Sequence, residues 1–308
     1  MLESKTVSHR KTLGLALSGS GNRTTFYVGF LEVLVEEGIN IDFISACSGG
    51  TLVASAYACG TLHELKEILL TMQRKDFIEM ATGKRGVGGL YSLDLLQDLL
   101  YNKITKGKKF EEVRPYMTFT AVDIQNGEPV DLCMGDIARA ARISCTVPGI
   151  FEPVQRGNST LVDGGILMLL PVRPLLKYEA DVIVGISTGG TKHVFAPGLL
   201  SLKKGLDFFM KSLYIDQIKL LFENFYEDNG ETDQNNPGLF TTLGKSMDLA
   251  IQANSKLETD SSFCNLIIEM KIPKANKLNV NPGSLKEHYE LGRESAKKHI
   301  SKIKELIT

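Results

Sequence analysis

The fold of this chain is decided by the stretch Phe43-Ile44-Ser45-Ala46-Cys47-Ser48-Gly49-Gly50-Thr51-Leu52-Val53-Ala54. Phe43 to Cys47 predicts a short buried strand, and the small, apolar residues from Gly49 to Ala58 predict a buried helix. Ser48 lies at the junction, between Ala46 and Gly50, which are small enough for the strand and the helix to nearly touch. A serine at such a turn is held in a strained backbone conformation with its hydroxyl exposed, as in a nucleophile elbow. The alternative is that Ser-Gly-Gly forms an ordinary turn and helix N-cap.

Composition limits the functions that the chain can have. With 308 residues, of which 43% are hydrophobic, it can bury a sizeable core as one large α/β domain or two small ones. The 35 basic and 36 acidic residues nearly cancel, and the net charge is −1. Because a nucleic-acid-binding surface usually brings a clear basic excess, no nucleic-acid partner is expected.

The composition also predicts a cytoplasmic location. The N-terminal residues lack the apolar segment of a signal peptide. No apolar run approaches the roughly 20 residues that a membrane-spanning helix needs, and peripheral contact with a membrane surface is left open. The cysteines are scattered and mostly in apolar contexts, so they are interpreted as reduced core residues without metal-ligand spacing: Cys47, Cys59, Cys133, Cys145 and Cys264.

A glycine-rich loop precedes the elbow. Lys11 to Ser18 predicts a strand, Thr25 to Val35 predicts a helix, and between them lies Gly19-Ser20-Gly21-Asn22-Arg23-Thr24. A strand, a glycine-rich turn and a helix direct backbone N–H groups to one place, which suits an anion. A dinucleotide site would need a third glycine where Thr24 stands, and a Walker loop would need Gly-Lys-Ser/Thr. The loop is therefore either an oxyanion hole, formed by the amides of Gly19 to Gly21, or a plain turn.

Two strand–helix units in succession predict an α/β fold with a parallel sheet. Both glycine-rich turns then lie at the carboxyl ends of strands, where open α/β sheets bind their ligands. A third candidate follows the short predicted strand from Thr160 to Val162, where Asp163 precedes Gly164 and Gly165. Alone, an Asp-Gly-Gly sequence is most often a turn, so its weight comes from the segments that accompany it.

Taken in order, six segments resemble the patatin-like phospholipases. They are Leu15 to Arg23, Gly29 with Leu31-Glu32, Ala46 to Gly50, Val147 to Phe151, Val162 to Gly165, and Leu170 to Val172. The resemblance covers roughly residues 12–190. The ordered combination is far more specific than any one segment.

This resemblance implies both a fold and a chemistry. The fold would be a three-layer α/β/α sandwich with a mostly parallel sheet, here one domain over residues 1–308. Ser48 would be the nucleophile and Asp163 its base, which is feasible without histidine because a partly desolvated carboxylate can take the serine proton. The activity would be hydrolysis of acyl esters in phospholipids or lysophospholipids, without metal or cofactor. The oxyanion hole would be formed by Gly19, Ser20, Gly21, Asn22 and Arg23.

Three residues depart from the family's pattern. Ala46 replaces the first glycine of the elbow, Ser20 the middle glycine of the loop, and Thr24 the glycine after Arg23. The first two are small, so the close approach of the backbones should be preserved. Thr24 restricts the backbone more and is the departure with the greatest consequence for the oxyanion hole.

Alternatives to the dyad enzyme stay open. His193 follows Ser48 and Asp163 in the chain order of the α/β-hydrolases and could complete a triad. A catalytically inactive relative would instead bind acyl chains or a partner. Cys47 is a poorer nucleophile candidate, because its side chain is expected to point back along the strand. A helical segment around 198–260 is expected to form a lid or an interface, and the sequence predicts no oligomeric state.

Overall fold

The structure is a computed structural model that describes residues 10–73, 75–76, 79–80, 91–188, 263–270 and 282–308. These residues belong to one compact unit, formed from 1–189 and 254–308. The described strands are β1 (Leu13–Leu17), β2 (Phe43–Ala46), β3 (Tyr116–Asp123), β4 (Glu128–Leu132), β5 (Val154–Arg156), β6 (Ser159–Asp163), β7 (Val182–Ser187) and β8 (Leu266–Glu269). The α-helices with described bounds are α1 (Thr24–Glu36), α2 (Gly49–Cys59), α3 (Leu62–Thr71), α4 (Asp94–Leu99), α5 (Ile137–Ser144), α6 (Arg173–Lys177) and α7 (Pro282–Ile307).

The strands form one mixed sheet. Its hydrogen-bonded path is β5–β6–β3–β2–β1–β7–β8, and β4 also pairs with β3. Among the described strands, β3–β2, β2–β1, β1–β7 and β7–β8 are parallel pairs. The pairs β3–β4, β3–β6 and β5–β6 are antiparallel. The predicted α/β fold is confirmed, and its parallel part carries the two strand–helix units that the sequence indicated.

Alternate residues of β1 face two separate hydrophobic layers. Leu13, Leu15 and Leu17 belong to the larger core, to which α1, α2 and α7 also contribute. Ala16 faces the opposite side of the sheet and packs in a smaller cluster with Leu175 of α6. Because successive side chains of a strand point to opposite faces, this alternation shows that helices cover both faces of the sheet.

The helices α1 and α7 touch backbone to backbone. A Cβ atom at Gly29 of α1 would overlap the backbone oxygen of Tyr289, and one at Gly292 of α7 would overlap that of Phe26. Beside this crossing, the guanidinium of Arg293 donates two hydrogen bonds to the carboxylate of Glu36, at 2.8 and 2.9 Å. The long last helix is therefore held against the first helix by close packing and by a bidentate ion pair.

Strands β2 and β6 lie on the same edge of β3. Phe119 of β3 pairs with β2 on one side and with β4 on the other. Ala121 of β3 pairs with β4 and, on its opposite side, with Asp163 of β6. Since β4 occupies one edge throughout, β2 and β6 share the other edge, and they run toward each other. The end of β2 before Ser48 and the end of β6 at Asp163 therefore meet.

Two described elements were not predicted from the sequence, and two predictions fall on residues that the structure does not describe. The strand β5 and the short helix α6 have no counterpart in the predicted elements. The expected helical segment around 198–260 and the candidate His193 lie outside the described residues. Within the part that the structure describes, no helix is both long and apolar enough to cross a membrane.

Candidate active site

Ser48 occupies a strained turn between β2 and α2. Its φ of 49° and ψ of −128° lie in a region that residues with side chains rarely adopt. The backbone N–H of Ser48 donates to Oγ of Ser144 at 2.9 Å, and that hydroxyl donates to the carbonyl of Thr120 at 2.7 Å. A Cβ at Gly50 would lie 2.9 Å from the carbonyl oxygen of Leu17, so α2 starts directly against the end of β1. These contacts hold the strained turn in place.

Asp163 ends β6 as a buried carboxylate. Its side chain is 3% exposed, and its Oδ1 accepts the N–H of Gly165 at 2.8 Å. Burial raises the pKa of Asp163 from 3.8 to about 6, because the charged form is removed from water. Hydrogen bonds from the Gly165 amide, the Ser48 hydroxyl and the Cys47 thiol offset part of this rise in pKa.

The structure brings Ser48 and Asp163 together although 114 residues separate them. The Ser48 side chain is partly exposed, and its hydroxyl is close enough to the Asp163 carboxyl to lower the pKa of that carboxyl. A carboxyl whose pKa lies about a unit below neutrality is ionised at pH 7, yet it is a stronger base than an ordinary aspartate. The arrangement can therefore accept a proton from the serine hydroxyl at neutral pH.

The glycine-rich loop passes directly over Ser48. A Cβ built on Gly19 would lie 3.5 Å from Cβ of Ser48. The N–H of Gly19 donates to the carbonyl of Leu169 at 3.0 Å and so is already used within the protein. Gly21 to Arg23 form one 3₁₀ turn, and the first N–H groups of a helical turn have no partner within it. The N–H of Arg23 donates to the carbonyl of Ser20 at 3.0 Å, so the amides available to an oxyanion are those of Ser20, Gly21 and Asn22.

The half-buried Arg23 and the fully buried Tyr27 restrain this loop. Arg23 donates from Nη1 to the carbonyl of Thr188 at 2.8 Å and from Nε to that of Ser20 at 3.3 Å. The hydroxyl of Tyr27 donates to the carbonyl of Ser18 at 2.9 Å. Burial lowers the pKa of Arg23 and raises that of Tyr27. Arg23, predicted as part of the oxyanion hole, thus contacts backbone carbonyls of the loop and of the segment after β7.

Ser20 and Thr24, the two hydroxyl residues that stand where the family's pattern has glycine, contact each other. Oγ of Ser20 and Oγ1 of Thr24 are 2.9 Å apart, and Thr24 donates to the carbonyl of Gly21 at 2.9 Å. A Cβ at Gly49 would overlap the Ser20 hydroxyl and lie 2.7 Å from that of Thr24. The two hydroxyls therefore fill the space above the start of α2, and Ser20 and Thr24 are hydrogen-bond partners of each other.

Cys47 differs from its expected orientation. Instead of pointing back along β2, its fully buried side chain donates from Sγ to Oδ1 of Asp163 at 3.6 Å. Burial raises the pKa of Cys47 well above its usual value, so the side chain remains a thiol at neutral pH. No sequence signal distinguished this contact, because it depends on how β6 meets β2.

An α/β sheet with a serine at a strand-to-helix elbow is the architecture of a large class of serine hydrolases. Within that class, the model of the patatin-like phospholipase family matches residues 15–176, more than half of the chain. The chain belongs to this family, and the resemblance stated from the sequence is confirmed.

Several curated proteins are similar to this chain at low identity. An uncharacterized NTE family protein of Mycobacterium bovis is 26% identical over 180 residues, which cover 58% of this chain and 50% of that protein. The uncharacterized protein YqhO of Bacillus subtilis is 28% identical over 201 residues, covering 55% and 69%. Lysophospholipase nte1 of Aspergillus fumigatus is 26% identical over 193 residues, covering 58% and 12%. The chain thus spans about half the length of the first of these relatives.

Among solved structures, the crystal structure of VipD from Legionella pneumophila is similar at 14% identity. The alignment has a TM-score of 0.48 and covers 94% of this chain and 67% of that one.

Proposed function

We propose that this chain is a lipid acyl-ester hydrolase of the phospholipase A or lysophospholipase type that uses a Ser48–Asp163 dyad. The observation that carries the proposal is a buried carboxyl, with a pKa raised to about 6, beside a serine in a strained strand-to-helix turn. Membership of the patatin-like phospholipase family supports an acyl ester of a lipid as the substrate.

The proposed reaction has two halves. In the first, Asp163 takes the proton of Ser48 while Oγ bonds to the ester carbonyl carbon, and the carbonyl oxygen becomes an oxyanion. The backbone N–H groups of Ser20, Gly21 and Asn22 are proposed to stabilise that oxyanion. Collapse breaks the bond to the alcohol, which leaves with the proton from Asp163. In the second half, Asp163 takes a proton from water as the water oxygen bonds to the acyl carbon. The bond from that carbon to Oγ of Ser48 then breaks, Oγ takes the proton back from Asp163, and the fatty acid is released.

A serine-directed fluorophosphonate tests the nucleophile. We expect covalent labelling of the folded protein that is lost in Ser48→Ala. Ser55→Ala is the matched control, because Ser55 is buried in the same helix and donates to the carbonyl of Thr51. Labelling of Ser55→Ala should equal that of the unmodified protein. Folded protein that resists labelling would support the inactive, acyl-binding relative instead.

Incubation with a mixed lipid extract tests the substrate class. Mass spectrometry should detect free fatty acids together with lysophospholipids, or with fully deacylated glycerophospho compounds where lysophospholipid is the substrate. Both products should be missing with Ser48→Ala. Release confined to esters other than phospholipids would contradict the proposed substrate.

Replacing His193 separates the dyad from a triad. In His193→Ala we expect kcat/KM within about twofold of the unmodified enzyme, whereas removal of the histidine base of a triad costs about 10⁶-fold in kcat. Steady-state hydrolysis of a chromogenic acyl ester measures the difference. A loss in His193→Ala as deep as that in Asp163→Asn would establish the triad and end the dyad proposal.

A further inference from the structure

The residue before the proposed nucleophile packs its side chain against the proposed base. Sγ of Cys47 lies 3.6 Å from Oδ1 of Asp163, an oxygen that also accepts the N–H of Gly165 at 2.8 Å. A Cβ at Gly165 would lie 3.6 Å from the same sulfur. Cys47 follows the last residue of β2 and Asp163 is the last residue of β6, so this contact joins the two strands that share the edge of β3.

The thiol of Cys47 is a donor at every pH at which the enzyme would work. Burial and the neighbouring Asp163 charge raise the pKa of Cys47 well above its usual value. Cys145 interacts with the same carboxyl, and burial raises its pKa to about 12, so it also stays neutral. In the part of the chain that the structure describes, these two thiols are the titratable groups whose pKa responds to the Asp163 charge. Its ionisation is therefore governed by desolvation and by hydrogen bonds.

We propose that Cys47 is a positioning residue whose S–H hydrogen bond orients the Asp163 carboxylate and stabilises its charged form. Two donors, Cys47 and the Gly165 amide, act on Oδ1, which leaves Oδ2 as the oxygen that takes the Ser48 proton. The inference rests on the proposed function and adds to it the residue that orients the base. Cys47 itself touches no reacting atom in this proposal.

The pH dependence of kcat/KM tests the effect on the base. Cys47→Ala removes the donor, so the acid-side inflection should move up by about half a unit to one unit, a three- to tenfold loss well below that inflection. Cys47→Ser keeps a donor and should leave the inflection at or below its original position. Cys59→Ser is the matched control, because Cys59 is buried at the far end of α2 and its pKa is raised by burial without a contribution from Asp163. It should leave the profile unmoved.

Infrared spectroscopy tests the contact without any measurement of activity. The S–H stretching band of Cys47 is identified by its absence from the spectrum of Cys47→Ser. If that variant does not fold, the band is identified as the one whose frequency no longer shifts with pH in Asp163→Asn. In the unmodified protein this band should shift with a midpoint near pH 6, as the acceptor becomes protonated. A titrating band in a protein without esterase activity would refute the proposed function and keep the contact. A band independent of pH, or equal shifts of the inflection in Cys47→Ala and Cys47→Ser, would overturn the positioning role.

Discussion

Burial gives Asp163 a benefit and a cost with the same origin. The pKa of this carboxyl is about 6 in the folded chain against an ordinary 3.8, so the folded state binds its proton more tightly than the unfolded state does. Its favourable contribution to stability is thus complete below pH 3.8 and is lost as the pH rises through about 6. At neutral pH the residue is a better base than an exposed aspartate, and the fold is less stable for it.

The first expected outcome is a pH–rate profile set by this carboxyl. Because the dyad needs Asp163 ionised, kcat/KM should fall below about pH 6, by tenfold for each further unit. Hydrolysis of a soluble acyl ester from pH 4.5 to 8, at constant ionic strength, measures the profile. An inflection near the ordinary aspartate pKa would show that another group controls the rate.

The second expected outcome is that Asp163→Asn loses activity and gains stability. An amide cannot take the serine proton, so kcat should fall by about 10³-fold or more. Its oxygen can still accept the Gly165 N–H, and no charge is buried, so unfolding at pH 8 should cost up to about 3 kcal/mol more than in the unmodified protein. Denaturant titrations at pH 8 and pH 4 should show the gain at the higher pH and almost none at the lower.

Asp181→Asn provides a control of opposite sign. The pKa of Asp181 is lowered by hydrogen bonds from the N–H and the hydroxyl of Thr12. Because a lowered pKa stabilises the fold where the carboxylate is charged, Asp181→Asn should not raise stability at pH 8. A gain in both variants would point to a general effect of charge rather than to the burial of Asp163.

At the scale of elements, the glycine-rich loop and the first turn of α1 are joined by two hydroxyls. The hydroxyl of Thr24 donates to the Gly21 carbonyl, so in the hydrogen bond between Ser20 and Thr24 the hydroxyl of Ser20 is the donor. Both side chains are buried, at 1% and 5% exposure, so neither hydroxyl can turn to water. Where the family has glycines that bend freely, this chain has a hydrogen-bonded pair that restricts the same turn.

Double-mutant cycles should detect this pairing. Thr24→Val leaves the buried Ser20 hydroxyl without its acceptor and should destabilise the protein by about 1–3 kcal/mol. Adding Ser20→Ala removes the orphaned group, so the double variant should lose less than the sum of the single variants. Urea denaturation of the four proteins measures the coupling. Additive losses would show that the 2.9 Å contact contributes nothing.

At the scale of the whole molecule, the last helix closes the fold on the first. The crossing of α1 and α7 depends on Gly29 and Gly292, each of which faces a backbone carbonyl of the other helix. A glycine within a helix normally costs about 1 kcal/mol relative to alanine, so helix propensity alone favours replacement. The close approach of the two backbones outweighs that preference.

Gly292→Ala should therefore destabilise the protein although alanine is the better helix former. The added methyl overlaps the carbonyl of Phe26 and must force the helices apart, at about 1–3 kcal/mol net. Lys297→Ala, exposed on the same helix, is the control and should change stability by less than about 0.5 kcal/mol. Thermal unfolding followed by circular dichroism compares them. A more stable Gly292→Ala would mean that the helices do not touch at this point.

The sequence predicted the parts of the structure that depend on local patterns. The strands and helices around Ser48 and the glycine-rich loop follow from apolar runs broken by small residues, and their carboxyl-end placement follows from the α/β alternation. The contact of Cys47 with Asp163 depends on the register of β6 on β3, and short-range periodicity carries no information on it. The pairing of Ser20 with Thr24 depends on the path of the loop between them, which a comparison of each residue with a glycine does not predict.

The shared edge of β3 also makes the active centre independent of much of the chain between its members. Phe119 and Ala121 lie two positions apart on β3. Phe119 pairs with Ala46 at the end of β2, just before Ser48, and Ala121 pairs with Asp163 at the end of β6. The distance between Ser48 and Asp163 is therefore set by neighbouring positions of β3, whatever the length of the excursions from residue 60 to 115 or from 124 to 136. Those two excursions can lengthen, shorten or acquire new surfaces while Ser48 and Asp163 keep their spacing.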